Sequence, residues 1–100
     1  MKIELARTGG LAGIPTRITL DTDSLPPRER RAIESLVARA AFFDLPVECR
    51  SPRPDAFQYT VAVEAEGRRH EVRTDEQGVP ARLRPLLERL LARARAARAT

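Results

Sequence analysis

The sequence predicts one α+β domain: a four-stranded antiparallel sheet, in the order β-β-α-β-β-α, with two helices packed on one face. Three observations carry this reading. Four short stretches alternate apolar and polar residues with period two, the signature of a half-buried strand. Two longer stretches repeat apolar residues at the spacing of one helix face. Each pair of strands is joined without an intervening helix, so neither pair needs a parallel crossover. The 100 residues fit a single domain, 1–100, with no internal repeat and no linker.

Residues 2–8 put Ile3 and Leu5 on one face and Lys2, Glu4 and Ala6 on the other. Residues 15–21 alternate again, with Ile18 and Leu20 inward beside Arg17 and Thr19. The glycine-rich stretch between them makes the first unit a hairpin with a long loop. Asp21, Asp23 and Ser24 are capping residue types, and the two prolines after Leu25 fit only the first turn of a helix. Ile33, Leu36, Val37 and Ala40 form that helix's apolar face. Pro46 disfavours its continuation, and Phe42, Phe43 and Leu45 are expected to plug the core beneath its end. The segment from Cys49 to Ala56 holds two prolines and is expected to be a loop. Phe57, Tyr59, Val61, Val63 and Ala65 then alternate with polar or small residues. Glu66-Gly67 is a two-residue turn, and counting outward from it sets Val61 opposite Val72, Val63 opposite His70 and Glu64 opposite Arg69. Gly78 and Pro80 end the last strand. Leu83, Leu86, Leu87, Leu90, Leu91 and Ala94 form the final helical face, and Pro85 sets that helix's start. No large apolar residue follows Ala94, so residues 94–100 are expected to fray.

Composition narrows the function. A single Cys49 excludes an internal disulfide framework, and no apolar run is long enough for a membrane helix. The expectation is a cytoplasmic protein, monomeric when free. The net charge of +4 is uneven. Six arginines and one glutamate from Pro80 onward give a local +5, so the remainder sums to −1. Arginines late in a helix suit its macrodipole without any partner.

Catalytic chemistry is not specified. His70, the one histidine, lies inward near a strand end, where a packed ring is the simpler reading. Cys49 has no activating partner in sequence. No metal-ligand spacing such as Cys-x-x-Cys or His-Glu-x-x-His occurs, so no metal, cofactor or enzyme activity is expected. The loop Gly9, Gly10, Leu11, Ala12, Gly13, Ile14 is not a phosphate cradle, because Pro15 and a strand follow it where a lysine and a helix N-terminus are required. Leu11 and Ile14 are out of place on a turn built only for closure. They suggest a surface to be covered by another molecule.

"GGLAGI" after the first strand, "LPP" opening the first helix, "FFDLP" closing it, "SPRPDAFQYTVAVE" leading into the third strand and "PARLRPLLERLLARA" at the end occur together in that order. The set resembles the emfourin family, small bacterial inhibitors of thermolysin-like zinc metallopeptidases such as protealysin. It covers roughly residues 2–94. The family pattern has Ser before the two glycines and often an aromatic after them; Thr8 and Leu11 stand there in this chain. The resemblance implies a cytoplasmic protein inhibitor with a thermolysin-like metallopeptidase as partner. Such enzymes prefer a large aliphatic or aromatic side chain just after the scissile bond. Leu11 on a narrow glycine loop offers one, and the glycines let the backbone approach closely. The loop has no His, Cys, Asp or Glu, so blocking access suits it better than ligating the enzyme's zinc. The 51–56 loop is the second candidate contact. A different reading, a nucleic-acid-binding or adaptor module using the Arg-rich last helix, predicts binding that collapses with salt and with loss of the tail.

Overall fold

The computed structural model describes residues 1–9, 16–51 and 57–99. The first two alternating runs form strands β1 (Lys2–Thr8) and β2 (Thr16–Asp21), paired antiparallel with Ile3 opposite Leu20 and Leu5 opposite Ile18. The two acidic residues and the serine expected to cap the first helix do otherwise. Asp21 caps a 3-10 turn over Thr22–Ser24, its Oδ1 accepting the Asp23 N–H at 3.0 Å. Helix α1 (Pro27–Arg39) follows with Pro26 at its N-cap and no side-chain cap. Two consecutive prolines leave the cap position without a side-chain acceptor, and Pro27 has no N–H to satisfy. The entry of the chain into α1 is fixed instead by buried Thr22. Its N–H donates to the Met1 carbonyl at 2.9 Å and its hydroxyl to Glu34 Oε2 at 2.6 Å. That bond, against partial burial and with help from Arg30, holds the Glu34 carboxyl below the usual glutamate range.

Ala40 closes α1, and Ala41 turns the chain at φ 48° into a 3-10 turn over Phe42–Asp44. Phe42 and Leu45 are buried and Phe43 packs partly against the same core, as the sequence predicts.

Among the described residues the sheet has five strands, not four, and is mixed. Glu48–Cys49 forms a short strand, β3, parallel to β5, where the sequence predicts the start of a loop. Two residues are too few to show a period. The strand exists because Val47 O accepts the Arg73 N–H at 2.7 Å and Cys49 O accepts the Thr74 hydroxyl at 2.9 Å. β4 (Gln58–Ala65) and β5 (Arg68–Asp75) pair antiparallel in the register read from sequence: Val61 with Val72, Val63 with His70, Glu64 with Arg69. Glu66 at φ 53° and Gly67 at φ 77° give both turn residues the left-handed conformation that suits a tight hairpin. The strand order is β2-β1-β4-β5-β3.

Helix α2 (Arg84–Ala99) begins one residue before Pro85, after a turn in which the Pro80 carbonyl accepts the Leu83 and Arg84 N–H groups. Both helices cover one face of the sheet. Ile3, Leu5, Leu20, Tyr59, Val61, Val63 and Val72 are buried there against Ile33, Val37, Leu83, Leu86, Leu87 and Leu90, and Ile18 is half-buried at the edge. Arg93 pairs with Glu29 and ties α2 to the first turn of α1. Among the described residues no helix is long and apolar enough to cross a membrane.

Candidate functional site

Of the loop residues singled out by sequence, Gly9 is described; Gly10, Leu11, Ala12, Gly13 and Ile14 lie outside the described residues. Gly9 takes φ 86°, a left-handed turn that sends the chain out of β1 and that a side chain would strain. What the structure adds is where this loop starts and what stands beside it. β1 runs antiparallel to β4 as far as Thr8 opposite Gln58, and β4 to β5 as far as Gln58 opposite Asp75. The parallel pair of β3 and β5 ends with Cys49 beside Thr74. Gly9 and Ser51, the last described residues before 10–15 and 52–56, therefore stand at the same end of the sheet, and the chain is described again at Phe57, leading into β4 beside β1. The two loops that the sequence offers as alternatives spring from one rim.

That rim is firmly built. Asp75 is fully buried, and each oxygen of its carboxylate takes two donors. Oδ2 accepts the Ser51 N–H at 2.8 Å and the Ser51 hydroxyl at 2.7 Å; Oδ1 accepts the N–H of Gln77 at 3.1 Å and of Gly78 at 2.6 Å. Burial alone pushes the carboxyl up, but the Ser51 hydroxyl and the three N–H groups outweigh it and hold Asp75 below the usual aspartate range. Gly78 lies so close to the neighbouring backbone that an added Cβ would meet Cys49 O at 2.2 Å and Ser51 N at 2.9 Å. Ser51, the root of the 51–56 loop, is thus clamped to the end of β5.

The other loop is braced by Arg7. Its guanidinium lies 4.8 Å from the centre of the Phe57 ring and donates to Thr16 Oγ1 at 3.5 Å, so it bridges the two strand ends that flank residues 10–15 and the start of β4. Tyr59, one residue deeper, donates its hydroxyl to Glu76 at 3.2 Å; burial first and Glu76 second push its phenol up. Arg50 donates to Glu48 at 2.8 Å and to Gln58 at 3.3 Å. Sequence reasoning passed over Asp75, Arg7 and Gly78 as functional supports. Asp75 stands beside Glu76 at the end of a strand, and nothing local in the sequence distinguishes a buried clamp from an ordinary acidic strand end.

The groups that could react stand elsewhere or are quenched. His70 sits toward the hairpin end, where Nε2 donates to the Leu45 carbonyl at 2.7 Å and the ring meets Phe42 edge-on, 5.7 Å between centres. A carbonyl can only accept, so the proton is on Nε2 and the ring serves packing. Burial, with Glu48 beside it, pushes the Cys49 thiol up, away from a reactive thiolate. Among the described residues no group of three or more His, Cys, Asp or Glu could hold a metal ion. Of the α2 arginines, Arg93 is held by Glu29 and Arg84 donates to the Glu76 carbonyl at 3.2 Å, so two serve the fold.

The outer face of the sheet, opposite the helices, carries a shallow concavity of about 390 Å³. Small residues, Ala6, Thr60 and Ala62, floor it, and Arg17, Arg69, Arg73, Glu4 and Glu71 wall it. Arg69 pairs with Glu4 at 3.3 Å and Arg73 with Glu71 at 3.6 Å, so its charges largely satisfy one another.

A family model described as Emfourin matches residues 5–91. No curated protein and no solved structure matches the chain.

Proposed function

The chain belongs to the emfourin family, and from that premise we propose that it is a proteinaceous inhibitor of a thermolysin-like zinc metallopeptidase. It works by occluding the substrate cleft with the loop Gly9, Gly10, Leu11, Ala12, Gly13, Ile14. The family match, spanning most of the chain, is the observation that carries this reading, and it supports an inhibitor rather than an enzyme. The rim supports the choice of surface. An inhibitory loop loses affinity if it must be ordered on binding, and anchoring both of its ends in advance reduces that loss. Arg7, Thr16 and Phe57 supply such anchorage on the 10–15 side and the Asp75 clamp supplies it on the 51–56 side. With both loops on one rim, the glycine loop enters the cleft and the 51–56 loop meets the enzyme beside it.

The zinc belongs to the enzyme. The glycine loop carries no side chain that ligates it, so this loop acts sterically, with Leu11 seated where a substrate's aliphatic side chain is recognised. The test is titration of the protein into a panel of thermolysin-like peptidases while residual cleavage of a small peptide substrate is followed. At least one member is expected to lose activity stoichiometrically. A panel wholly unaffected at high inhibitor excess contradicts the proposal.

A further inference from the structure

The two edges of the sheet are not alike. On one side β3 is two residues long, and its Glu48 is engaged by Arg50 and Arg73. Short, charged edges are how sheets avoid further pairing. On the other side β2 is six residues long, and no described strand pairs with its outer edge. α2 packs on β2 from the helical face, which leaves the edge itself without a described cover.

The β2 sequence is complementary to itself. In an antiparallel pairing about a two-fold axis at Thr19, directly opposed residues share a face of the sheet. Arg17 then faces the Asp21 of a second copy, Ile18 faces Leu20, and Thr19 faces Thr19, each match occurring on both sides of the axis. Moving the axis one residue either way destroys this. At Ile18 the arginine meets a threonine, and at Leu20 the aspartate meets a threonine and Ile18 meets Thr22. One register therefore pairs opposite charges, aliphatic side chains and hydroxyls together.

Arg17 supplies an independent observation. Of the arginines on the outer face, Arg69 and Arg73 are each held by two carboxylates. Arg17, exposed on the same face, makes no ion pair or hydrogen bond among the described residues. Asp21, across the register, uses Oδ1 for the Asp23 N–H and lies 3.9 Å from the N-terminal ammonium. Its second oxygen has no partner among the described residues. Half-buried Ile18 is the apolar counterpart, at the rim of the core with no described strand beyond it in the sheet.

We infer that two copies of this chain pair through β2, antiparallel about Thr19, to form one continuous ten-stranded sheet with all four helices on the same side. This replaces the monomer expected from sequence and stands apart from the inhibitory reading. A six-residue edge buries less than the roughly 1,200 Å² of a standard interface, so the dimer is weak, with a Kd of about 10 µM to 1 mM.

Sedimentation equilibrium across that range tests it. The mass is expected to rise from 11.2 kDa toward twice that value. Thr19→Lys and Thr19→Glu each set like charges face to face across the axis. Each alone is expected to weaken association by about fivefold or more, whereas an equimolar mixture associates at least as well as the parent. Only a register in which residue 19 meets itself gives this rescue. Arg17→Glu, which opposes two pairs of like charges, is expected to weaken association by about tenfold. Thr19 and Arg17 are exposed, so Thr19→Lys and Arg17→Glu are expected to melt like the parent, and Thr19→Glu, opposite Glu4 of its own chain, slightly lower. A parent that stays at 11.2 kDa near 1 mM, or variants that associate as the parent does with no gain on mixing, overturns the inference.

Discussion

Asp75 is the residue on which the loop-bearing rim depends. Its two oxygens hold four donors, and amidation would turn one oxygen into a donor facing donors. Asp75→Asn is therefore expected to destabilise the fold by at least about 2 kcal/mol, measured by urea unfolding. The same bonds set a pH dependence. Asp75 and Glu34 both titrate below their ordinary ranges in the folded state. Each contributes stability that is fully present above the unfolded carboxylate range and is lost as pH falls through the lowered folded value. Thermal melts are expected to be flat from about pH 7 to 5 and to drop below about pH 4, with a smaller acid drop for Asp75→Asn. At Gly78 the obstacle to a side chain is backbone, which cannot swing aside. Gly78→Ala is expected to cost about 1–3 kcal/mol and to loosen β3 first, visible as faster amide exchange at Arg73.

At the scale of elements, the β4–β5 hairpin was legible in full, and its legibility has a physical source. A two-residue turn fixes register, and the period of two then assigns every side chain to a face. Glu66 sits there in a conformation that asparagine tolerates better, so Glu66→Asn is expected to raise stability by up to about 1 kcal/mol in the same unfolding assay. The helices were legible because Ile33, Val37, Leu83, Leu86 and Leu90 mark one face of each. β3 was not legible. It is held by Arg73, Thr74 and Asp75, some twenty-five residues away, and by Gly78 close against it. Nor was the true role of Asp21 visible, since a capping residue type reveals that a turn begins but not whether it is 3-10 or α. The candidate loop was legible as an anomaly, two aliphatic residues among glycines. Its supports were not, because Arg7 in β1, Phe57 just before β4 and Asp75 at the end of β5 lie far apart in sequence and no local pattern links them.

Taken whole, the molecule divides its labour between ends. The hairpin end holds His70 in packing with Phe42 and Phe43, and at the opposite end the braced rim carries Gly9, Thr16, Ser51 and Phe57, the described residues that flank 10–15 and 52–56. The basic C-terminus belongs to neither. Deleting residues 95–100 removes two arginines and no large apolar residue, so inhibition and melting temperature are both expected to stay close to the parent's. Loss of inhibition on that truncation would shift the contact to a charge-driven surface. The proposed anchor of the loop in the enzyme's cleft is Leu11. Burying an aliphatic side chain of that size is worth about 1.5–3 kcal/mol, and each 1.4 kcal/mol is about tenfold in affinity. Leu11→Asp is therefore expected to weaken inhibition at least ~10-fold with an unchanged melting temperature, read by an inhibition titration beside a thermal melt. A Leu11→Asp protein that melts like the parent and inhibits equally well would rule out Leu11 as the anchor.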